Sequence, residues 1–204
     1  MKAAPRSPDR RTKETVNIIE MLGAIDGMRV TYDEEGKNLF VSRRRGEEKS
    51  RWSDFIEVRT SDGERVRYTL FVEGERLFLL DQSSNWIVTS CTDGHDRIWD
   101  VESGKLVHEF DEDHSFTVWA AIDQSGALLA RGQSSGDGGP SRVLVWDIRG
   151  ARETIKLPDH VAVTTSGEWS PSSGRLFTCS RDSASLWSAD DASLVAELEH
   201  DGVC

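Results

Sequence analysis

The sequence predicts an all-β repeat protein, built from about four small antiparallel sheets of four strands each. Three observations predict it. An apolar residue, a short turn and an apolar strand recur as Tyr32-DEEGKN-Leu39, Leu80-DQSSNW-Ile87, Ile122-DQSGAL-Leu129 and Trp169-SPSSGR-Leu176, at the same seven-residue interval each time. Apolar and polar residues alternate with period two, as in IEVRT, RIWDV, LVHEF and LVAEL, between turns of Gly, Asp and Ser. No helical stretch lies between the strands, and a single repeat cannot bury both faces of its own sheet, so it must stack on its copies.

In chain order, residues 1–15 carry five basic side chains against two acidic ones, with Pro5 and Pro8 and no apolar periodicity. They read as a disordered basic tail. Val16 to Leu22 (VNIIEML) precedes Asp33 as Leu70 precedes Asp81, in the place of a fourth strand that has no first three. Four repeats follow, at about 28–70, 76–110, 116–157 and 161–198. Their third strands are centred on Val58, Trp99, Trp146 and Trp187, and are followed by the turns SDGE, ESGK, RGAR and DDAS. Their fourth strands end at Leu70, Phe110, Leu157 and Leu198, spaced by 40, 47 and 41 residues.

Trp99-Asp100 and Trp146-Asp147 close their strands, Asp113-His114 and Asp159-His160 stand upstream, and Trp169-Ser-Pro-Ser-Ser-Gly174 forms a turn of matching type. With these residues the chain resembles the WD-repeat β-propeller family over roughly residues 16 to 200. The resemblance implies blades of four antiparallel strands. It places the loops before the first strand and between the second and third strands on one face. It also implies a buried hydrogen-bond network of His, Ser or Thr, Asp and Trp in each blade. Carried over, this gives His160, Ser180, Asp182 and Trp187 in repeat four, His114 and Trp146 in repeat three, and Asp93 and Trp99 in repeat two. The pattern is degenerate: repeat one has Val58-Arg59 in place of Trp-Asp, repeat four has Trp187-Ser188, and repeat two has Glu73-Gly74-Glu75 in place of the His. In the family an orphan strand such as Val16 to Leu22 completes the last blade. Repeat four already has its own fourth strand, so the expectation is an open or incomplete propeller that self-associates or is completed by another chain.

A net charge of −11 opposes binding to nucleic acid and to anionic membrane, and no apolar run approaches the length of a spanning helix. The start has no apolar export segment, so a soluble, cytoplasmic protein is expected. Cys91, Cys179 and Cys204 form no CxxC pair, which argues against a disulfide framework and a zinc site. Cys91 and Cys179 read as small core residues.

Asp93-Gly-His-Asp96 and Asp111-Glu-Asp-His114 combine carboxylates with imidazole, the donors a metal needs, but both fall where the repeat requires turns, which favour Asp and Gly on backbone grounds. There is no GxSxG, no HExxH, and no Lys-Ser/Thr after GQSSGDGG. No catalytic residue, metal ligand or cofactor site is therefore assigned.

Trp99, Trp146, Trp169 and Trp187 are expected in the core. Trp86 beside a turn and Trp52 in an insertion are candidate exposed anchors. The interval from the second strand to the Trp position is 16 residues from Ser42 and 14 from Gly132, against 9 from Ser90 and 8 from Cys179. The first insertion holds Arg43, Arg44, Arg45, Lys49, Arg51 and Trp52, and this cationic, aromatic loop is the candidate partner-binding site. Solvated slack is the competing explanation, and the more so for the Gly/Ser loop Ser134 to Ser141. The function expected is non-catalytic protein binding, with an acidic or phosphorylated protein as partner; the alternative is a metal-dependent or enzymatic propeller.

Overall fold

The computed structural model describes residues 29–43, 55–111, 116–134, 141–158, 163–180 and 183–199. Every regular element among them is a strand, and the strands form four antiparallel four-stranded sheets. Blade one contains β1 (Arg29–Tyr32), β2 (Asn38–Arg43), β3 (Phe55–Thr60) and β4 (Val66–Leu70). Blade two contains β5 (Leu77–Gln82), β6 (Trp86–Cys91), β7 (Asp96–Asp100) and β8 (Leu106–Phe110). Blade three contains β9 (Phe116–Ile122), β10 (Leu128–Ser134), β11 (Arg142–Asp147) and β12 (Arg152–Lys156). Blade four contains β13 (Thr164–Trp169), β14 (Arg175–Ser180), β15 (Ser183–Ser188) and β16 (Leu194–Glu199). In each sheet the strands neighbour one another in chain order, the topology of a propeller-type blade. The chain forms two compact units: blade one belongs to Met1–Arg76, and blades two to four belong to Leu77–Cys204. The basic tail and the orphan strand of the sequence reading lie outside the described residues.

The recurring first turn has a local cause. In blades one and three the carboxylates of Asp33 and Asp123 accept the amides of Lys37 and Asn38, and of Ala127 and Leu128, at 2.6–3.1 Å. Gly36 and Gly126 supply the left-handed backbone of these turns, with φ of 67° and 66°. In blade four Ser173 takes that place with φ 57°. Blade two differs from the sequence reading, because Ile87 pairs with Gln82 rather than Leu80. An irregularity between Leu79 and Asp81 takes up one extra residue, Leu80.

The third strands share one device. Register shifts fall between Val58 and Arg59, Ile98 and Trp99, Val145 and Trp146, and Leu186 and Trp187, each on the side of the fourth strand. Across the second strand, Leu39 faces Arg59 as Ile87 faces Trp99, Leu129 faces Trp146 and Leu176 faces Trp187. The residue of blade one in the Trp position is therefore Arg59. Val58 instead matches Ile98, a correction of one residue that reverses which face it occupies.

Within the Leu77–Cys204 unit, blades two and three each turn one face towards the blade that follows in sequence; that face, and the face of blade four at the same positions, is called here the trailing face. Val88, Ile98 and Phe110 of blade two pack with Leu129 and Ile148 of blade three. Ala130, Val143, Val145 and Leu157 of blade three pack with Trp169, Leu176 and Trp187 of blade four. In blade one, Leu39 and Val41 form a smaller cluster with Val30 and Tyr32. Cys91 is a free, buried thiol pushed up to about 11 mainly by desolvation. Cys179 is buried, as expected of a core residue, and is also disulfide-bonded; one bond is not the framework that the cysteine spacing argues against.

Candidate functional site

The Trp position repeats a single bond. Trp99 Nε1 donates to Thr89 Oγ1 at 2.9 Å, and Trp187 Nε1 donates to Thr178 Oγ1 at 2.9 Å. Both threonines lie two residues after the residue that faces the Trp, so strand pairing alone brings hydroxyl to indole. Ser180, expected in this role, instead accepts the Ser183 amide at 3.2 Å and donates to Ser183 O at 3.1 Å, linking the end of β14 to the start of β15. Asp93 lies away from the indole as well: its carboxylate takes the Arg97 guanidinium and the His95 amide. His114, His160 and Asp182 lie outside the described residues.

Blade three breaks the rule. Arg131 occupies the position of Thr89 and Thr178, and Trp146 Nε1 is buried with no hydrogen-bond partner. The Arg131 side chain crosses to blade two, where Nη1 donates to Asp96 Oδ2 at 3.2 Å and the guanidinium carbon stands 3.6 Å over the Phe110 ring. Asp96 in turn occupies a position filled by Ile56, Val143 and Ala184 in the other blades. His108 closes the same corner, 4.5 Å from Phe110 and 4.7 Å from Trp146 between ring centroids. Burial, and then the Arg131 charge, push the His108 imidazole below its ordinary value, with Glu109 opposing.

These contacts bear on the metal reading of Asp93-Gly-His-Asp96. Desolvation alone would raise the Asp93 carboxyl, but the bonds from Arg97 and the His95 amide hold it down at about 2. His95 Nδ1 lies 3.2 Å from Phe110 O, and Asp96 takes Arg131. The three donors thus go three ways, and among the described residues no group of three or more His, Cys, Asp or Glu side chains is placed to hold a metal ion. Of the second motif only Asp111 is described.

Of the candidate partner-binding loop, Arg43 is described; Arg44, Arg45, Lys49, Arg51 and Trp52 lie outside the described residues. Arg43 Nε donates to Glu57 Oε2 at 3.0 Å, and the same oxygen accepts Arg59 Nε at 2.8 Å. The carboxylate ties the root of the loop to β3. Trp86 is half-buried rather than an exposed anchor, and its Nε1 donates to Gly126 O of blade three at 2.8 Å.

Trp119 escaped the sequence reading. Its ring lies between Gly132 of its own blade and Gly167 of blade four, so close that a Cβ at either glycine would overlap it. Its Nε1 donates to Thr164 Oγ1 at 3.1 Å, which is 2.9 Å from Ser141 Oγ. The signal was a large residue facing a glycine across two strands, visible only once the register is known.

The geometry defines an all-β protein of propeller-type blades. No family model matches the sequence. Among the described residues no helix is long and apolar enough to cross a membrane.

Proposed function

We propose that this chain is a WD-repeat scaffold for protein–protein interaction, with no chemistry of its own, acting in the cytoplasm. The observation that carries the reading is the insertion between the second and third strands of repeat one. It places cations and a tryptophan, the residue types that anchor interfaces, on an otherwise acidic chain. The indole-to-threonine bond repeated in blades two and four supports the WD-repeat part. The separate engagement of Asp93, His95 and Asp96 speaks against the metal-dependent alternative. The partner is an acidic or phosphorylated protein, because Arg44, Arg45, Lys49 and Arg51 offer charge-assisted hydrogen bonds.

The test is retention of the full chain on an immobilised acidic phosphoserine peptide. Reversal of Arg44, Arg45, Lys49 and Arg51 to Glu is expected to weaken retention by roughly a hundredfold, since each rim charge contributes modestly and four are reversed. Unchanged retention overturns the proposal.

A further inference from the structure

Because the sheets share one register, the same position can be compared across blades two, three and four. At the end of the fourth strand, on the trailing face, Phe110 and Leu157 are 5% and 2% exposed, whereas Leu198 is 66% exposed. On the second strand Val88 and Ala130 are wholly buried, and Phe177 is 38% exposed. On the third strand Ile98 and Val145 are buried and Leu186 is half-exposed. Blade four thus keeps on its trailing face the apolar residues that the repeat elsewhere covers, and water meets them.

The pairing register puts these side chains on one surface. Phe177 faces Leu186, which faces Ala196, and Ala184 faces Leu198. Charge is arranged about them. Glu168 pairs directly with Phe177 across β13 and β14, and Arg175 stands two residues before Phe177 on its own strand, so both share its side of the sheet. Both are exposed. An apolar centre flanked by one anion and one cation is complementary to itself when turned about a two-fold axis. Head-to-tail stacking would instead need an accessible opposite face on blade one, and there Leu39 and Val41 are wholly buried.

We propose that a second copy of this chain docks on the trailing face of blade four about a two-fold axis. Phe177, Leu186 and Leu198 meet their counterparts, and Glu168 meets the partner's Arg175 twice over. This site goes beyond the cationic loop and does not depend on it.

Sedimentation equilibrium of the full chain at micromolar concentrations tests the proposal. The wild type is expected to be a dimer, and Leu198→Glu to raise the dissociation constant by roughly a hundredfold or more. Because Leu198 is already exposed, the melting temperature of the separated copies stays unchanged. Arg175→Glu weakens the dimer by roughly tenfold, and combining it with Glu168→Arg restores the dimer, because the two charges then exchange places across the axis. A monomer at every concentration overturns the proposal and leaves the face to a different occupant. A dimer indifferent to Leu198→Glu overturns it as well, and places the contact elsewhere.

Discussion

The seam between blades two and three and the seam between blades three and four use the same positions with different chemistry. The later seam is apolar: Trp169, Leu176 and Trp187 close on Val143, Val145 and Leu157, and Trp119 fits between two glycines. The earlier seam replaces an apolar position with Asp96 and a threonine position with Arg131, and stacks the guanidinium on Phe110. Blade stacking therefore does not depend on one residue set. It depends on filling the position, and a buried charge does so only while its partner stays.

The sharpest way to break the comparison follows from that condition. Asp96→Ala or Arg131→Ala is expected to cost about 3–5 kcal/mol, because each deprives a buried charge of its opposite. Asp96→Val combined with Arg131→Thr converts the earlier seam to the chemistry of the later one and recovers most of the loss. Denaturant midpoints of the two single variants and the double variant measure this. A double variant as unstable as the singles would show that the guanidinium fills volume that threonine cannot.

The later seam fails by crowding. Gly132→Ala and Gly167→Ala are expected to cost about 1–3 kcal/mol each, since the added methyl overlaps a ring that is held by its bond to Thr164. Trp119→Leu should relieve both, a non-additive pattern visible in a double-mutant cycle. If alanine at either glycine leaves thermal stability unchanged, the ring is not clamped.

Acid tests a pair within blade two, beside the earlier seam. The native Asp93 carboxyl titrates at about 2, below its ordinary 3.8, so its pairing with Arg97 stabilises the fold above about pH 4. That contribution, on the order of 1 kcal/mol because Asp93 still meets solvent, is lost as pH falls through about 2. The Asp93→Asn variant should be weaker at neutral pH and show a shallower decline in acid. Parallel stability curves for wild type and variant between pH 5 and 2 would show that the pair contributes nothing.

How much of this was legible in the sequence depended on whether a residue speaks through its neighbours along the chain or across the sheet. The four sheets, their strand order and the burial of Trp99, Trp169 and Trp187 followed from period-two alternation and the seven-residue turn interval. Both are local. Composition favours Val58 over Arg59 for the Trp position because valine is the more apolar residue, and the irregularity that re-aims the strand leaves no mark in composition. Ser180 and Thr178 are equivalent in the same sense: a hydroxyl two residues away serves equally in sequence, and only pairing with β15 chooses between them. Arg131, Asp96 and Trp119 act across seams, on residues 35 to 45 positions distant, and nothing in their own repeats announces it. The cationic loop is the opposite case, legible as chemistry in the sequence alone, with all of its named residues but Arg43 outside the described residues.

The smallest effect isolates one hydrogen bond. Trp187 and Trp146 occupy the same position, but the Trp187 indole reaches Thr178 Oγ1 whereas the Trp146 indole nitrogen is buried without an acceptor. Replacing either by Phe removes the N–H and a similar part of the ring. In blade four the change also breaks a buried hydrogen bond and leaves the threonine hydroxyl without its donor. In blade three it removes a polar group that already lacks a partner, which offsets part of the lost packing. Trp187→Phe should therefore cost about 1 kcal/mol more than Trp146→Phe. Thr178→Val then supplies the control, since it breaks the same bond without touching the ring, and in the Thr178→Val background the difference between the two Trp→Phe changes should vanish. If the two changes cost the same in the wild-type background, the indole bond of blade four contributes no net stability, and the position selects tryptophan for its volume alone.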